Sequence, residues 1–125
     1  MIRFSLIVGA LLASSCGKKA EQPPPEPVDT PDVVEARQTF HSLCATCHGE
    51  SGHGDGIAAA NLNPKPRNYT DKSWQASVTD DQIRFIILNG GASVGKSAVM
   101  PASPQFKDKP GVVDELVRIV RSFGK

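Results

Sequence analysis

Cys44-Ala45-Thr46-Cys47-His48 constrains this chain more than any other stretch. Thiols at i and i+3 lie on one helix face, a single turn apart, and an imidazole follows the second directly. C-x-x-C-H is the sequence through which c-type haem is attached. The spacing lets both thiols reach the two vinyl groups of one porphyrin, and His48 can bring Nε2 to the iron from the same side. Other uses of paired cysteines fit less well. A thioredoxin-like pair needs a βαβ context, and no strand run precedes Cys44. A tetrahedral zinc site needs four ligands, and Cys16, His41 and His53 supply no second pair. A plain disulfide leaves the adjacent histidine unexplained.

The amino-terminal residues point to export. Met1-Ile2-Arg3 is a short positive start, and residues 4–13 are apolar apart from Ser5. That run is shorter than the roughly 20 residues a membrane-spanning helix needs. Ser14-Ser15-Cys16 follows, and the whole resembles a bacterial lipoprotein signal, in which the cysteine is lipidated and becomes the mature terminus. Ala13 stands where such signals usually carry leucine, with Leu12 one place off. The alternative is an ordinary secretory peptide that leaves Cys16 unlipidated, although an unpaired thiol is a liability in an oxidising compartment. Gly17 after Cys16 lacks the aspartate that retains some lipoproteins in the inner membrane, and which membrane holds the anchor stays open. Export agrees with haem, since c-type attachment in bacteria takes place outside the cytoplasm.

Residues 17–31 hold five prolines in fifteen positions and too few apolar side chains to build a core. Such a segment is a semi-rigid spacer, at roughly 3 Å per residue about 45 Å when extended. The expected division is a signal peptide over 1–15, a lipidated Cys16 with its proline-rich tether over 16–31, and one folded domain over 32–125. That domain has 94 residues (125 − 31), small enough to profit from a bound apolar cofactor. Removing residues 1–15 takes away only Arg3, so Lys plus Arg falls from 14 to 13, against 13 acids. Such a balance argues against nucleic acid as a partner.

The domain reads as all-α. Asp32 and Glu35 have capping-box spacing, and Val33, Ala36, Phe40, Leu43 and Cys44 recur at three- and four-residue steps. Residues 49–56 hold four glycines and form loop, and Pro64 and Pro66 make residues 61–68 extended loop. Thr79-Asp80-Asp81-Gln82 is a second capping box, opening a run with Ile83, Ile86 and Ile87 on one side and a stop at Asn89-Gly90-Gly91. Residues 92–109 are rich in Gly, Pro and Ser. Residues 112–123 close the chain with Val113, Leu116, Val117, Val120 and Phe123 at helical spacing. Three helices joined by long loops are expected.

From Asp32 onward this order of features resembles a class I cytochrome c, the small mono-haem type. Ala36 and Phe40 match the small and aromatic positions where that family's first helix crosses its last, and Leu116, Ile119 and Val120 match the opposing helix. Ile119 stands where the family often has tyrosine. Cys47-His48-Gly49 followed by Gly52-His53-Gly54-Asp55-Gly56 is similar to many bacterial members. The resemblance implies a small cytochrome c fold, helices and long loops wrapped around one haem c held through Cys44 and Cys47. It implies His48 and Met100 as axial ligands, Met100-Pro101 matching the distal ligand loop. It implies a proline carbonyl, here that of Pro64, accepting the Nδ1–H of His48, and makes Arg67, Tyr69 and Trp74 candidate donors to the haem propionates. Core packing for Trp74 and a solvated loop position for Arg67 are the plainer alternatives.

Met100 also stands out without the resemblance. Once Met1 leaves with the signal it is the one thioether left, 52 residues beyond His48 (100 − 48). A lone methionine is commonly core filler, yet this one sits among Pro101 and Ser103-Pro104 in a loop. His41 precedes Cys44 by one turn and lies on the wrong side of the haem plane to be a distal ligand. His53 is a solvated loop histidine, and Lys96 replaces Met100 only if the loop rearranges. With both axial positions filled, outer-sphere transfer of one electron is the expected chemistry. No nucleophile–base pair or paired carboxylates suggest catalysis by this chain. The expectation is a membrane-tethered carrier on the periplasmic side of the bacterial envelope, between redox protein partners. A haem-based small-ligand sensor, or a haem subunit of a larger oxidoreductase, is the alternative.

Overall fold

The structure, a computed structural model, describes residues 29–125. Among these there is no strand. The signal peptide and most of the tether, including Cys16, lie outside the described residues.

Helix α1, Pro31–Thr39, begins two residues earlier than the Asp32 capping box implies. Thr30 is the cap, its Oγ1 accepting from Val33 N at 3.3 Å, and Pro31 takes the first helical position, where its missing N–H is no loss. Glu35, freed from a capping role, reaches across to Lys109 at 2.6 Å. After α1 the chain makes a π-helical turn, Phe40–Cys44, closed by the bond from Ala45 N to Phe40 O, before one α-helical turn, α2, Ala45–His48. The wider turn rotates α2 relative to α1. Val33, Ala36 and Phe40 are buried as the stripe demands, but Leu43 is turned out, 43 % exposed.

Helix α3, Lys72–Ser77, was not expected. It is short and has no fully buried residue, and its start is set by Asp71, whose carboxylate accepts from Ser73 N and Trp74 N. Helix α4, Asp80–Asn89, starts with the full capping box, both Thr79–Gln82 bonds being present, and stops at Gly90 with φ +78°. Three 3₁₀ turns, Ile57–Asn61, Gly91–Val94 and Pro104–Phe106, punctuate the loops. Helix α5, Pro110–Ser122, carries the expected stripe.

The core is the crossing of α1 and α5. Ala36 and Phe40 pack with Val112, Val113, Leu116, Val117 and Val120, and Ile83 and Phe106 close the cluster. Ile119 and Phe123 sit at its margin, the Phe123 ring 5.5 Å from that of Phe40. Lys109–Glu35, Arg84–Asp114 and Arg121–Asp80 pairs tie α5 to α1 and α4 at the surface. Exposed pairs contribute about 0–1 kcal/mol each, so burial at the crossing decides the packing. Ala36 is fully buried there, with no room for a larger side chain. Ala36→Leu should lower the denaturant midpoint of the haem-loaded protein by the equivalent of about 1–3 kcal/mol. An unchanged midpoint would mean that the helices do not meet at this residue.

Candidate haem-binding site

The π turn and α2 place Cys44 and Cys47 side by side, both partly buried and both free. Gly49, at φ +79°, ends the turn. The glycine loop then folds back over it, Gly54 N donating to His48 O at 2.8 Å and Gly56 N to Cys47 O at 3.1 Å. Gly52 is needed for contact as well as for its φ of +72°, since a Cβ there would lie 2.7 Å from the Phe123 ring.

His48 is buried, and its Nδ1 lies 3.0 Å from the carbonyl oxygen of Arg67. A carbonyl only accepts, so Nδ1 carries the proton and Nε2 keeps the lone pair a metal needs. Burial pulls the His48 pKa below its ordinary value, against a smaller upward pull from the Arg67 carbonyl, and the ring is kept neutral. The carbonyl expected from Pro64 therefore belongs to Arg67. Pro64 and Lys65 are exposed, and the chain turns back against Gly54 at Pro66 before the Arg67 carbonyl meets His48. Backbone geometry rather than residue type selects the acceptor.

Arg67, Tyr69 and Trp74 gather beside His48. The Tyr69 ring stacks on the imidazole with centroids 4.4 Å apart and planes 12° apart, and Trp74 stacks behind Tyr69 at 5.6 Å. The Arg67 guanidinium lies 5.7 Å from the centre of the Trp74 ring and 3.6 Å from Asp71. Burial pushes the Tyr69 hydroxyl well above its usual range, with the neighbouring Cys44 and Cys47 adding to the effect. His41 pairs with Glu50 at the surface, and His53 sits exposed against the Ser51 carbonyl.

Trp74 also borders a cleft of about 450 Å³ whose apolar wall comes from Val78, Phe85, Ile86 and Val94, with Lys96 beside it. Phe85 and Val94 are 49 % and 38 % exposed, a large wet apolar surface for so small a domain. Of this wall, Ile86 belongs to the stripe evident in the sequence, whereas Val78, Phe85 and Val94 lie outside it. Phe85 fell outside the Ile83–Ile87 stripe, although α4 carries apolar residues on two faces, the mark of a helix covered on both sides.

The segment bearing Met100 is anchored to the end of α4 at two points. Gly91 N donates to Met100 O at 3.1 Å, and Ser103 N to Ile87 O at 3.0 Å. Gly91 admits the loop, because a Cβ there would meet the Ser97 carbonyl and lie 3.3 Å from Met100 Cβ. Met100 is half-buried, and Val94 and Lys96 of the same loop face the cleft.

These features fit a covalently held porphyrin and disfavour the other uses of paired thiols. Burial pushes the Cys44 thiol up to about 11, the opposite of the lowered pKa of a redox-active or zinc-binding cysteine. Among the described residues no three His, Cys, Asp or Glu side chains converge on a metal. Unpaired thiols and a neutral imidazole with Nε2 free are features such a group requires, while the cleft beside Trp74 is bordered by none of Cys44, Cys47, His48 and Met100.

The chain belongs to the cytochrome c family, whose model matches residues 33–114. It is 32 % identical over 99 residues to the Cbb3-type cytochrome c oxidase subunit FixP of Azorhizobium caulinodans. That match takes in 78 % of this chain but 29 % of FixP, so the chain spans less than a third of that relative's length. Among solved structures it is similar to the KustC0563 c-type cytochrome, with 30 % identity and a TM-score of 0.52, over 72 % of this chain and 98 % of that one. As a member of the family the chain binds haem c covalently through Cys44 and Cys47 and serves as a haem electron carrier. When bound, haem c supplies an iron that takes up and releases one electron.

Proposed function

We propose that this protein carries one electron at a time with His48 and Met100 as the axial ligands, from a lipid anchor at Cys16 on the periplasmic side of the bacterial envelope. The observation that carries this reading is His48. Its ring is buried and neutral, and the Arg67 carbonyl holds Nδ1 so that Nε2 alone is left for a metal. The Met100 loop, pinned at Gly91 and Ser103, supports the second ligand. A carrier of this kind keeps the same ligands in both oxidation states and gives small molecules no open position. The ferrous protein should therefore fail to bind carbon monoxide on mixing and should titrate as a single one-electron couple. Rapid carbon monoxide binding would replace the carrier by a small-ligand sensor.

The tether has its own test. Cys16→Ser should move the protein from the membrane to the soluble fraction of an expressing bacterium, and an unchanged distribution would reject the lipid anchor. The likeness to FixP, by name a subunit of a Cbb3-type oxidase, favours a second reading, in which the domain hands electrons on within a respiratory complex. Co-purification with a catalytic subunit after detergent extraction would support it.

A further inference from the structure

The hydrogen bond from Nδ1 to the Arg67 carbonyl fixes one corner of the His48 ring and leaves the ring free to tip about that bond. The Tyr69 ring, nearly parallel and 4.4 Å away, removes that freedom. Tyr69 is itself held unusually firmly. Its N–H donates to Gly52 O at 2.6 Å, and its carbonyl accepts from Gln75 Nε2 at 2.7 Å. Gln75 Nε2 donates also to Val120 O of α5 at 2.9 Å, and Gln75 Oε1 accepts from Arg121 Nη1 at 2.9 Å. Arg121 is fixed in turn, with Nη1 to Gln75 O at 2.7 Å, Nη2 to Val78 O at 2.6 Å and Nε to Asp80 at 2.7 Å. Trp74 and Phe123, at 5.6 and 6.2 Å, brace the Tyr69 ring.

We propose that Tyr69, clamped through Gln75 and Arg121 to the last turns of α5, is a positioning residue that sets the plane of the His48 imidazole. Core filling alone would need neither a parallel ring nor a half-buried amide with both ends bonded to the elements that flank it. Ligand orientation is the property that outer hydrogen bonds and packing control at metal sites, and here Arg121 of α5 reaches it through two residues, Gln75 and Tyr69.

The inference rests on His48 being the imidazole ligand. The test uses the exported, haem-loaded protein and reads the haem-methyl proton shifts and g values of the ferric form, both of which follow the imidazole plane. Tyr69→Leu should change the order and spread of the haem-methyl resonances. Tyr69→Phe, which keeps the ring, should leave them as in the wild type. Gln75→Leu, which frees the anchor but not the ring, should shift them less, in the same sense as Tyr69→Leu. Wild-type resonances in Tyr69→Leu would overturn the proposal, and so would a Tyr69→Phe shift as large as that of leucine, which would assign the effect to the hydroxyl. Should Tyr69→Leu not mature, Gln75→Leu decides, an unchanged spectrum being the refutation. A wild-type spectrum without low-spin imidazole-ligated iron would defeat the His48 reading instead, so the two failures are told apart.

Discussion

A Cys44→Ser/Cys47→Ser double variant should leave a haem-maturing host with no haem that survives acid–organic extraction, and largely unfolded at room temperature. The first effect follows from the motif, and the second from the fold. Trp74, Val78, Phe85, Ile86 and Val94 line a cleft of about 450 Å³ that has no covering of its own. Every 100 Å² of apolar wall left in water forgoes about 2.5 kcal/mol, and a domain of this size holds about 5–15 kcal/mol in all. Trp74 and Val78 also pack against the core, so the loss falls on Phe85, Ile86 and Val94, the part of the wall carried by α4 and the loop before Met100. Absorbance after extraction and far-ultraviolet circular dichroism check the two effects separately. A double variant that keeps the wild-type helical signal and midpoint would show that the fold does not depend on the bound group.

Met100→Ala should lower the reduction potential and open the iron to carbon monoxide. Thioether ligation raises the potential relative to nitrogen or water, since soft sulfur favours ferrous iron. A drop of roughly 0.1–0.2 V is expected, a modest part of the about 0.8 V that axial ligands span. The fold should survive, because Met100 is only half-buried and the bonds that pin its loop come from main-chain atoms. Potentiometric titration and carbon monoxide difference spectra read the change. An unaltered potential would remove Met100 from the iron and return it to the role of filler.

The features legible in the sequence were mostly local. The C-x-x-C-H turn, the Thr79–Gln82 capping box, the Gly90 stop and the stripe of α5 each depend on residues within a turn or two, and each is present as read. The π turn is illegible because a period of 3.6 residues has no place for a wider turn, and that period puts Leu43 on the buried face. Helix α3 is too short to show a stripe, and its single signal was Asp71 as a cap. The carbonyl on His48 could not be told from its neighbours, since every residue carries one and only the path of the loop chooses Arg67 over Pro64. Arg67, Tyr69 and Trp74 stand out in the sequence as candidate propionate donors, but neither the stacking of Tyr69 on the imidazole nor its link to Arg121, 52 residues on (121 − 69), has a local signal.

Optical spectroscopy of the exported, haem-loaded protein bears most directly on the central claim, that one porphyrin is bonded to Cys44 and Cys47 with His48 and Met100 on its iron. The account predicts a haem c α-band in the reduced-minus-oxidised spectrum that resists acid–organic extraction, together with the far-red band of sulfur-ligated ferric iron. Extractable haem, or a ferric spectrum without the far-red band, would contradict it.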